Sequence, residues 1–525
     1  MRKFNIHAIC VPEKHYMVDI TNKLQQTKQL IDEGEYFTIN RGRQYGKTTT
    51  LFALQKFLVD EYLVIPLSFE GIGDDVFRTE SEFCIEFLNQ IQDRLELAGF
   101  SPEEQNKWKN EDVKSFATLS RHIREVCRYS DKKYVLLIDE VDKSSNNIVF
   151  LNFLGKLRDK YIARNMGRDF TFHSVVLAGV YDIKNIKLKL IQEGSHFNSV
   201  SETTINNSPW NIAADFKVDM SFSIPEIKSM LIDYELENKI AMNMDEIATE
   251  IHTYTNGYPV LVTTICKIID EEIEKDWTIK GVRKAVKLIL NEQSPLFDSL
   301  IKNITGNEEL FILTQRLLME DFKWRYNVDN DLIGLGIRYG YLANVNNRVV
   351  IANKIFEIRL TSYFLSLTES NQAVNSPKTS ADETGIITSS GFNMEVCLER
   401  FAKYYYQYFN EKDAIHIETQ TNRLLLMFLS SVVNGSGFVQ IESGLSDGRS
   451  MDIVVTYLGT QFIVETKIWH GEKMHEDAYR QLEGYMDKLS LKEGYLLTYD
   501  FRKNKKPHQK WIERTDGRKI FDVMV

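Results

Sequence analysis

The sequence predicts an α/β protein with two separate sheets and a helical region between them. Three observations lead to this fold class. Between Tyr36 and Phe222 short apolar runs alternate with helical patterns, which is typical of a parallel sheet covered on both faces by helices. Mostly helical sequence follows as far as Gln293. Near the end, the stretch from Gly448 to Trp469 has the pattern of two strands joined by a tight turn, and a helical pattern follows it.

Length and composition are those of a water-soluble multidomain protein, and 525 residues are enough for roughly three or four domains. The net charge of -10 argues against a surface that is basic throughout, but it leaves room for a local basic groove. The five cysteines form no CxxC pair, which suits a reducing cytosol and argues against zinc fingers and a disulfide framework. No run reaches the roughly 18 apolar residues of a membrane span. We therefore expect a cytoplasmic protein with no membrane partner.

Residues 1–222 are assigned to the first α/β domain, with five predicted strands. These are EYFTIN, EYLVIPLSF, KYVLLID, FTFHSVVLAG and FKVDMSF. A new section begins at Ser223, because Ser223 and Glu226 have the spacing of a capping box and the intervening Pro225 is tolerated in a first helical turn. Residues 223–293 are therefore assigned to a helical domain.

The rest of the chain is divided in the same way. Residues 294–365 combine short helices with a predicted hairpin around Asn346 and Asn347, which favours a winged helix. Residues 366–391 are rich in Ser and Thr without apolar periodicity, so we expect a flexible linker. Residues 392–525 open with a helical pattern and form a second α/β domain that ends in a basic tail.

The stretch INRGRQYGKTTTL places Gly-Lys-Thr between an apolar strand and a helix. Backbone N–H groups of such a loop and of the helix N-terminus point at a phosphate. Lys47 would reach the β and γ phosphates, and the Thr48 hydroxyl would bind Mg²⁺. Arg41 stands where the usual pattern has its first glycine, although a glycine follows directly. The candidate nucleotide-binding residues of the loop are Gly42, Gly46, Lys47, Thr48 and Thr49.

A second motif, KKYVLLIDEVDK, ends an apolar strand with an acidic pair. Asp139 is positioned to hold Mg²⁺ beside Thr48, directly or through water. Glu140 is positioned to orient and deprotonate the attacking water, and Asp142 extends the acidic cluster. The acidic pair predicts ATP hydrolysis, and it favours the additional-strand class of P-loop ATPases over kinases and GTPases.

With these motifs, residues 4–365 resemble the AAA-like ATPases of bacteria, which are related to the STAND and archaeal-type ATPase group. The matching stretches are HYMVDI, YFTINRGRQYGKTTTL, VLLIDEVD, LAGVYDIKNIK, SPWNIA and NGYPVLV. The resemblance implies ATP and Mg²⁺ as cofactors, and it implies that residues 223–293 are a lid over the nucleotide. It also implies that Arg41 is a family variant of the loop.

The same resemblance suggests roles for weaker features. Gly257 and Pro259 are similar to a Gly-x-Pro motif near the adenine, although the residues alone also fit a simple helix-breaking turn. His15 and Tyr16 are candidates for packing on the adenine. Arg43 is a candidate for a catalytic arginine, with exposure to solvent as the alternative.

The stretch GRSMDIVVTYLGTQFIVETKIW predicts a second acidic site. Side chains alternate along a strand, so Glu465 and Lys467 project together, and an antiparallel hairpin brings Asp452 alongside them. Two carboxylates and the backbone carbonyl of Thr466 make an oxygen-rich site for Mg²⁺ or Mn²⁺. Such a metal would activate water and stabilise a pentacovalent phosphate, with Lys467 positioning the nucleophile or offsetting charge.

This pattern resembles the PD-(D/E)XK nuclease superfamily, although no proline precedes Asp452. Gln481 and Tyr485, one turn apart on the next helix, are similar to accessory residues of several members. Glu395 on the opening helix is the preferred candidate for a further metal ligand, with Glu399 as the alternative.

Together these features predict an ATP-hydrolysing AAA-like module joined to a metal-dependent DNA nuclease domain, with the ATPase acting as a switch or motor. A setting in genome defence or mobile-element biology follows from family analogy alone. The tail from Phe501 to Lys519 is strongly basic, with Trp511 interleaved, and suits contacts to phosphate. The alternative is a STAND-like regulatory ATPase whose C-terminal domain binds nucleic acid without cleaving it. RNA as the substrate and assembly into a homo-oligomer stay open.

Overall fold

The computed structural model describes residues 2–73, 75–141, 148–179, 210, 212–319, 324–375, 385–388, 391–408, 424–426, 428–429, 432–433, 437–442, 451–502 and 507–525. The chain divides into two compact units. The first unit is Met1–Val282 with Val328–Ala343, and the second unit is Arg283–Asn327 with Asn344–Val525. None of the helices in the described ranges has the length and apolar character needed to cross a bilayer.

The first unit contains a four-stranded parallel sheet of order β1-β4-β3-β2. Its strands are β1 (Tyr36–Asn40), β2 (Leu63–Ser68), β3 (Tyr134–Asp139) and β4 (Ser174–Gly179). Every residue of β3 and β4 is buried, which explains their nearly continuous apolar sequence. Because β4 lies between β1 and β3, the sheet has an additional strand between the strand before the Gly-Lys-Thr loop and the strand that ends in Asp139, as the sequence predicts.

Helices cover both faces of this sheet. Phe83, Phe87 and Phe153 belong to the apolar core on one face, whereas Ile31 and Leu54 belong to the core on the other. The helices of the first unit before residue 283 are α1 (Thr21–Asp32), α2 (Lys47–Leu58), α3 (Glu80–Leu97), α4 (Pro102–Lys107), α5 (Phe116–Arg128), α6 (Ile148–Asn165), α7 (Ile224–Asn238), α8 (Met244–Thr255) and α9 (Pro259–Glu271). The predicted capping box begins α7, where the backbone N–H of Ser223 donates to the Glu226 carboxylate over 2.7 Å.

The prediction of a fifth strand over FKVDMSF is wrong. The chain there forms no ladder, and the nearest pairing is a single parallel bridge between Phe37 and Ala214. One reason lies in Arg41, whose guanidinium donates to the carbonyl of Val218 over 3.0 Å. A side chain thus satisfies a backbone acceptor that a strand would have paired with its neighbour.

Helix α10 (Ile279–Asn291) spans the division between the units, and α11 (Pro295–Thr305) and α12 (Glu308–Met319) follow it in the second unit. Helix α13 (Asp331–Arg338) leads to the strands β5 (Leu342–Val345) and β6 (Arg348–Ile351). The predicted hairpin is present, and both turn residues have positive φ, 50° at Asn346 and 63° at Asn347, as a type I′ turn requires. Helix α14 (Lys354–Asn375) continues into the segment that the sequence assigned to a linker, whereas residues 376–384 of that segment lie outside the described residues.

The second unit continues with the elements β7 (Ile387–Thr388), β8 (Gly391–Phe392), α15 (Met394–Tyr408), β9 (Gly437–Glu442), β10 (Met451–Tyr457), β11 (Thr460–Ile468), α16 (Glu472–Leu489), β12 (Glu493–Tyr499), β13 (His508–Glu513) and β14 (Lys519–Met524). The last six strands form a mixed sheet of order β13-β14-β12-β11-β10-β9. Helix α16 connects β11 to β12, which pair in parallel, and Leu482 and Met486 of α16 pack on Ile463 and Leu496 of the sheet.

Candidate functional site

The loop between β1 and α2 is shaped by its glycines. Gly46 has φ 77° and precedes the first residue of α2, a left-handed conformation that glycine adopts without strain. Gly42 is needed for space, because a Cβ atom there would lie 2.4 Å from the carbonyl oxygen of Tyr339. The loop therefore depends on both glycines that the sequence singled out.

Lys47 and Thr48 lie at the start of α2, next to the end of β3. The Lys47 side chain is 8% exposed, and its ammonium donates to the carbonyl oxygens of Arg41 and Gly42, each over 3.0 Å. The Thr48 hydroxyl donates to Oδ2 of Asp139 over 2.6 Å. A hydroxyl and a carboxylate at this separation are the oxygen ligands that Mg²⁺ prefers. The structure thus brings together the two residues that the sequence paired for metal binding.

Glu140 follows Asp139 with φ 56°, a conformation that costs a residue other than glycine of order 1–3 kcal/mol. Its backbone N–H donates to Oδ1 of Asp139 over 2.9 Å, so the Asp139 carboxylate is held by Glu140 on one oxygen and by Thr48 on the other. The sharp turn makes Glu140 the first residue beyond the sheet. Asp142 lies outside the described residues, as does most of the LAGVYDIKNIK stretch.

Arg41 has a structural role. Its guanidinium donates to the carbonyls of Asn40 and Val218, over 2.9 and 3.0 Å, and lies 6.0 Å from the ring centre of Phe216. These contacts hold the segment that runs beside β1. Arg41, which replaces the usual glycine, therefore anchors this segment with its side chain. Gly42 instead allows the loop backbone to pass close to the carbonyl of Tyr339.

A cavity of about 250 Å³ opens beside the loop and is lined largely by apolar side chains, the usual character of a site for a flat organic base. Pro259 and Tyr16, which the sequence predicts to lie near the adenine, line this cavity. His15 does not line it, and its Nδ1 accepts from the backbone N–H of Val11 over 2.9 Å. Gly257 is a turn residue with φ 71°, and a Cβ there would lie 2.1 Å from the carbonyl oxygen of Phe222. Other lining residues are Ile6, Val18, Tyr45, Gly46, Thr49, Thr50, Phe222 and Val260.

Thr49 and Tyr258 tie neighbouring segments to the loop. The Thr49 hydroxyl accepts from the backbone N–H of Cys10 over 3.2 Å. The Tyr258 hydroxyl donates to the carbonyl of Arg43 over 2.7 Å, and its ring packs edge-on against Tyr45 at 4.6 Å. Burial raises the pKa of both tyrosines, so both hydroxyls keep their protons. The Arg43 side chain is exposed, and sequence reasoning missed Tyr258 although it lies between two motif residues.

The second predicted site is assembled on β10, β11 and α16. In the ladder between β10 and β11, Asp452 lies directly opposite Glu465. The Lys467 ammonium is 2.6 Å from Oε1 of the fully buried Glu465, and it donates to Oε1 of Gln481 on α16 over 2.9 Å. Thr466, which lies between Glu465 and Lys467 in the sequence, is also buried. Its side chain points to the other face of the sheet, because side chains alternate along a strand. The predicted residues Glu465, Lys467 and Gln481 are therefore in direct contact.

One predicted residue of this site, Glu395, lies elsewhere. Glu395 lines a separate cavity of about 710 Å³ together with Phe462 and Tyr495. Phe462 and Glu465 are an odd number of residues apart on β11, so they face opposite sides of the sheet. The structure thus contradicts the placement of Glu395 beside Glu465. Tyr485 packs in the core beneath α16, with the Lys488 ammonium 5.0 Å from its ring centre.

The basic tail is part of the sheet. It contributes β13 and β14, and its arginines form ion pairs with acidic residues. Arg514 contacts Glu476 over 2.8 Å and Glu483 over 2.5 Å, and Arg518 contacts Asp487 over 2.8 Å. These pairs neutralise charge that the sequence assigned to phosphate contacts.

The comparison with models of protein families agrees with the first site. A family model described as an AAA-like domain matches residues 10–287. Among solved structures, the chain is similar to a Walker-type ATPase of Pyrococcus abyssi, with 10% identity, a TM-score of 0.45, and coverage of 68% of this chain and 99% of that one. It is also similar to the ORC1 protein of Aeropyrum pernix in complex with DNA, with 12% identity, a TM-score of 0.29, and coverage of 67% and 94%.

A third similar structure is the RuvB Holliday junction branch migration motor of Thermotoga maritima, with 10% identity, a TM-score of 0.32, and coverage of 65% of this chain and 94% of that one. At these identities and TM-scores the likeness to the three structures decides nothing about function. No curated protein matches the chain.

Proposed function

This chain belongs to the AAA-like domain family of P-loop ATPases, and from that premise we propose that it binds MgATP at the loop before α2 and hydrolyses it there. The observation that carries the proposal is the 2.6 Å contact between the Thr48 hydroxyl and the Asp139 carboxylate, residues 91 positions apart in the sequence. A hydroxyl at the start of a helix and a carboxylate at the end of the neighbouring buried strand form the Mg²⁺ side of such a site.

The roles of the other residues follow from their positions. The Lys47 ammonium donates to two loop carbonyls, and it would exchange these acceptors for β- and γ-phosphate oxygens. Glu140, at the sharp turn after β3, would accept a proton from the attacking water. The apolar cavity beside Gly46, with Tyr16 and Pro259 in its wall, would take the adenine. Helices α7 to α9 would act as the lid.

ATP binding tests this proposal. We expect Lys47→Ala to weaken equilibrium binding of MgATP by roughly 10- to 100-fold, because a charge-assisted hydrogen bond contributes about 1.5–3 kcal/mol. Lys56→Ala is the matched control, since it removes an exposed cation in the last turn of α2, away from the loop, and should leave the affinity within about threefold. Binding by Lys47→Ala that equals the wild type would contradict the assignment of the loop.

A second candidate function, metal-dependent nucleic-acid cleavage, is favoured by the contacts of Lys467 with Glu465 and Gln481. We propose that Asp452, Glu465 and the carbonyl of Thr466 bind Mg²⁺ or Mn²⁺ and that Lys467 orients the attacking water. Duplex DNA is the proposed substrate, with residues 294–365 as a winged helix whose wing is the hairpin of β5 and β6. Residues 392–525 would then form the nuclease domain.

A cleavage assay tests this second function. We expect the wild type to cut plasmid DNA with Mg²⁺ or Mn²⁺, and we expect Asp452→Ala and Lys467→Ala to cut at least about 100-fold more slowly, as charge-stabilising groups at a reacting phosphate do. Lys473→Ala, an exposed lysine in the first turn of α16, is the matched control and should cut like the wild type.

Two comparisons in this assay separate the alternatives. A parallel reaction with single-stranded RNA distinguishes the two kinds of nucleic acid. Cleavage that depends on ATP in the wild type and is lost in Lys47→Ala would support control of the nuclease by the ATPase. The wild type could instead bind DNA and hydrolyse ATP without cleaving the DNA. That result would contradict the nuclease function and favour a regulatory ATPase with a nucleic-acid-binding domain.

A further inference from the structure

A second cluster of titratable side chains lies on the same face of the C-terminal sheet as Lys467. His475 is in the first turn of α16, His508 is on β13 and Asp522 is on β14. Their ligand atoms all lie within 4.8 Å of one another. The three residues come from three different elements, so no spacing motif in the sequence announces the cluster.

The strand register explains why these side chains meet. His508 is paired with Met524 and Lys510 with Asp522 in the antiparallel ladder of β13 and β14, so His508 and Asp522 face the same side. Asp522 is also opposite Leu496 of β12, whose side chain packs beneath α16. Asp522 therefore faces α16, where His475 lies. Glu465 of β11 is opposite the same Leu496 from the other side. The Glu465 and Asp522 clusters are therefore two strands apart, which is about 10 Å.

The distances within the cluster suit a metal ion. Nε2 of His508 is 2.7 Å and Nε2 of His475 is 3.2 Å from Oδ2 of Asp522. The Tyr479 hydroxyl donates to the same oxygen over 2.8 Å and lies 2.9 Å from Nε2 of His475. Ligands of tetrahedral Zn²⁺ at about 2.0–2.1 Å are roughly 3.3 Å apart by geometry. The two histidine–aspartate distances are within about 0.6 Å of this ligand spacing.

Burial makes the cluster costly without a cation. Asp522 is 0% exposed, and its Oδ1 has no hydrogen-bond partner among the described residues. His475, His508 and Tyr479 all contact the other oxygen of the carboxylate, Oδ2. The nearby Arg514 guanidinium, 5.2 Å from the Tyr479 ring centre, is paired with Glu476 and Glu483 instead. A buried carboxylate is costly to desolvate unless a cation or a metal ion balances its charge.

We propose that His475, His508 and Asp522 bind a divalent transition-metal ion of the Zn²⁺ type, with the Tyr479 oxygen or a water as the fourth ligand. Two imidazoles and one carboxylate favour Zn²⁺ over Mg²⁺, which takes oxygen ligands. Nδ1 of His475 is 3.4 Å from the Thr498 hydroxyl, the outer contact that fixes a metal-binding imidazole. The ion joins the start of α16 to the edge of the sheet and so positions the helix that carries Gln481.

The test is metal binding by the untagged full chain, with Asp452→Ala as the background so that the Lys467 site contributes no ion. After dialysis against a chelator, the protein is titrated with Zn²⁺ by calorimetry and with Co²⁺ by its visible absorption. We expect one equivalent of Zn²⁺, proton release on binding because the ion displaces protons from its ligands, and an intense Co²⁺ spectrum. Mg²⁺ in large excess should not compete.

Two further substitutions in this background decide the assignment. His508→Gln, on the partly exposed edge strand, should lose the bound equivalent while the protein stays folded by circular dichroism, and Asp522→Asn should lose it as well. His470→Gln, an exposed histidine just before α16, is the matched control and should keep the full equivalent. Binding that is unchanged by His508→Gln, or no binding by the background protein, would overturn the proposal. Neither result depends on whether the domain cleaves nucleic acid.

Discussion

Gly42 and Arg41 act together in the loop before α2. Gly42 lets the backbone pass close to the carbonyl of Tyr339, while the Arg41 guanidinium holds the carbonyls of Asn40 and Val218. Lys47 is anchored on the carbonyls of both loop residues. A change at Gly42 therefore moves the acceptors that position the Lys47 ammonium.

We expect Gly42→Ala to lower the free energy of unfolding of the first unit by about 1–3 kcal/mol, the cost of forcing an extra carbon into a packed site, and to weaken ATP binding with it. The reason is the 2.4 Å separation between the added Cβ and a backbone oxygen, which no side-chain rotation relieves. Chemical denaturation followed by tryptophan fluorescence measures the effect. Gly155→Ala in α6 is the matched control, because its Cβ meets no atom within 4 Å and should stabilise the helix by up to about 1 kcal/mol. Equal stability of Gly42→Ala and the wild type would contradict the described packing.

Single residues were predictable where one motif fixes both identity and place. The contact of Thr48 with Asp139 follows from a strand–loop–helix pattern and an acidic strand end, and the structure has it. Tyr258 was missed because the tertiary contact with the loop, and no local pattern, gives it a role. Glu395 was placed on the wrong face because the sequence of α15 does not specify which side of the sheet the helix covers.

At the level of elements, β4 begins directly after a histidine that burial keeps neutral. His173 stacks on Tyr62 with ring centres 5.6 Å apart, and its Nε2 has no hydrogen-bond partner among the described residues. Burial, followed by the charges of Lys133 and Arg164, lowers the pKa of His173 to about 4. The neutral ring is thus part of the packing between β4 and the segment before β2.

This pKa predicts a dependence of stability on pH. The unfolded chain binds the His173 proton near pH 6.5 and the folded chain only near pH 4, so acid favours unfolding across this interval. From pH 7 to pH 4.5 the free energy of unfolding of the wild type should fall by roughly 2–3 kcal/mol more than that of His173→Phe. The phenylalanine keeps the stacking on Tyr62 and does not titrate. Parallel urea titrations at the two pH values measure the difference. The same loss in both proteins would show that His173 does not titrate in this way.

Strands and hairpins were predicted best where their period and turn fix the register. The turn at Leu458 and Gly459 has two residues of positive φ, and it sets Asp452 opposite Glu465 as the alternation of side chains requires. The fifth strand failed because Arg41 satisfies the Val218 carbonyl, a contact between residues far apart in the sequence. Helix α14 extends beyond Leu365 because polar residues continue a helix that is already nucleated and anchored by buried Leu360 and Phe364.

For the whole molecule, each proposed site is built entirely within one unit. The nucleotide site lies in the first unit, whereas the Lys467 site and the histidine–aspartate cluster lie in the second. The sequence divided the chain into consecutive segments, but Val328–Ala343 belongs to the first unit, and the units divide within α10. Contacts such as that of Gly42 with Tyr339 join distant parts of the chain, and no local pattern announces them. The sequence was therefore sufficient to bring Thr48 beside Asp139 and Lys467 beside Glu465, and insufficient to place these boundaries.

Mg²⁺-dependent ATP hydrolysis by the full chain, compared with Glu140→Gln, tests the central claim most directly. Glutamine keeps the shape of Glu140 and removes its basicity, so the variant should bind MgATP as the wild type does and hydrolyse it roughly 10²- to 10⁴-fold more slowly. Glu70→Gln, an exposed carboxylate shortly after β2, is the control and should hydrolyse at the wild-type rate. Hydrolysis by Glu140→Gln at the rate of the wild type would contradict the account.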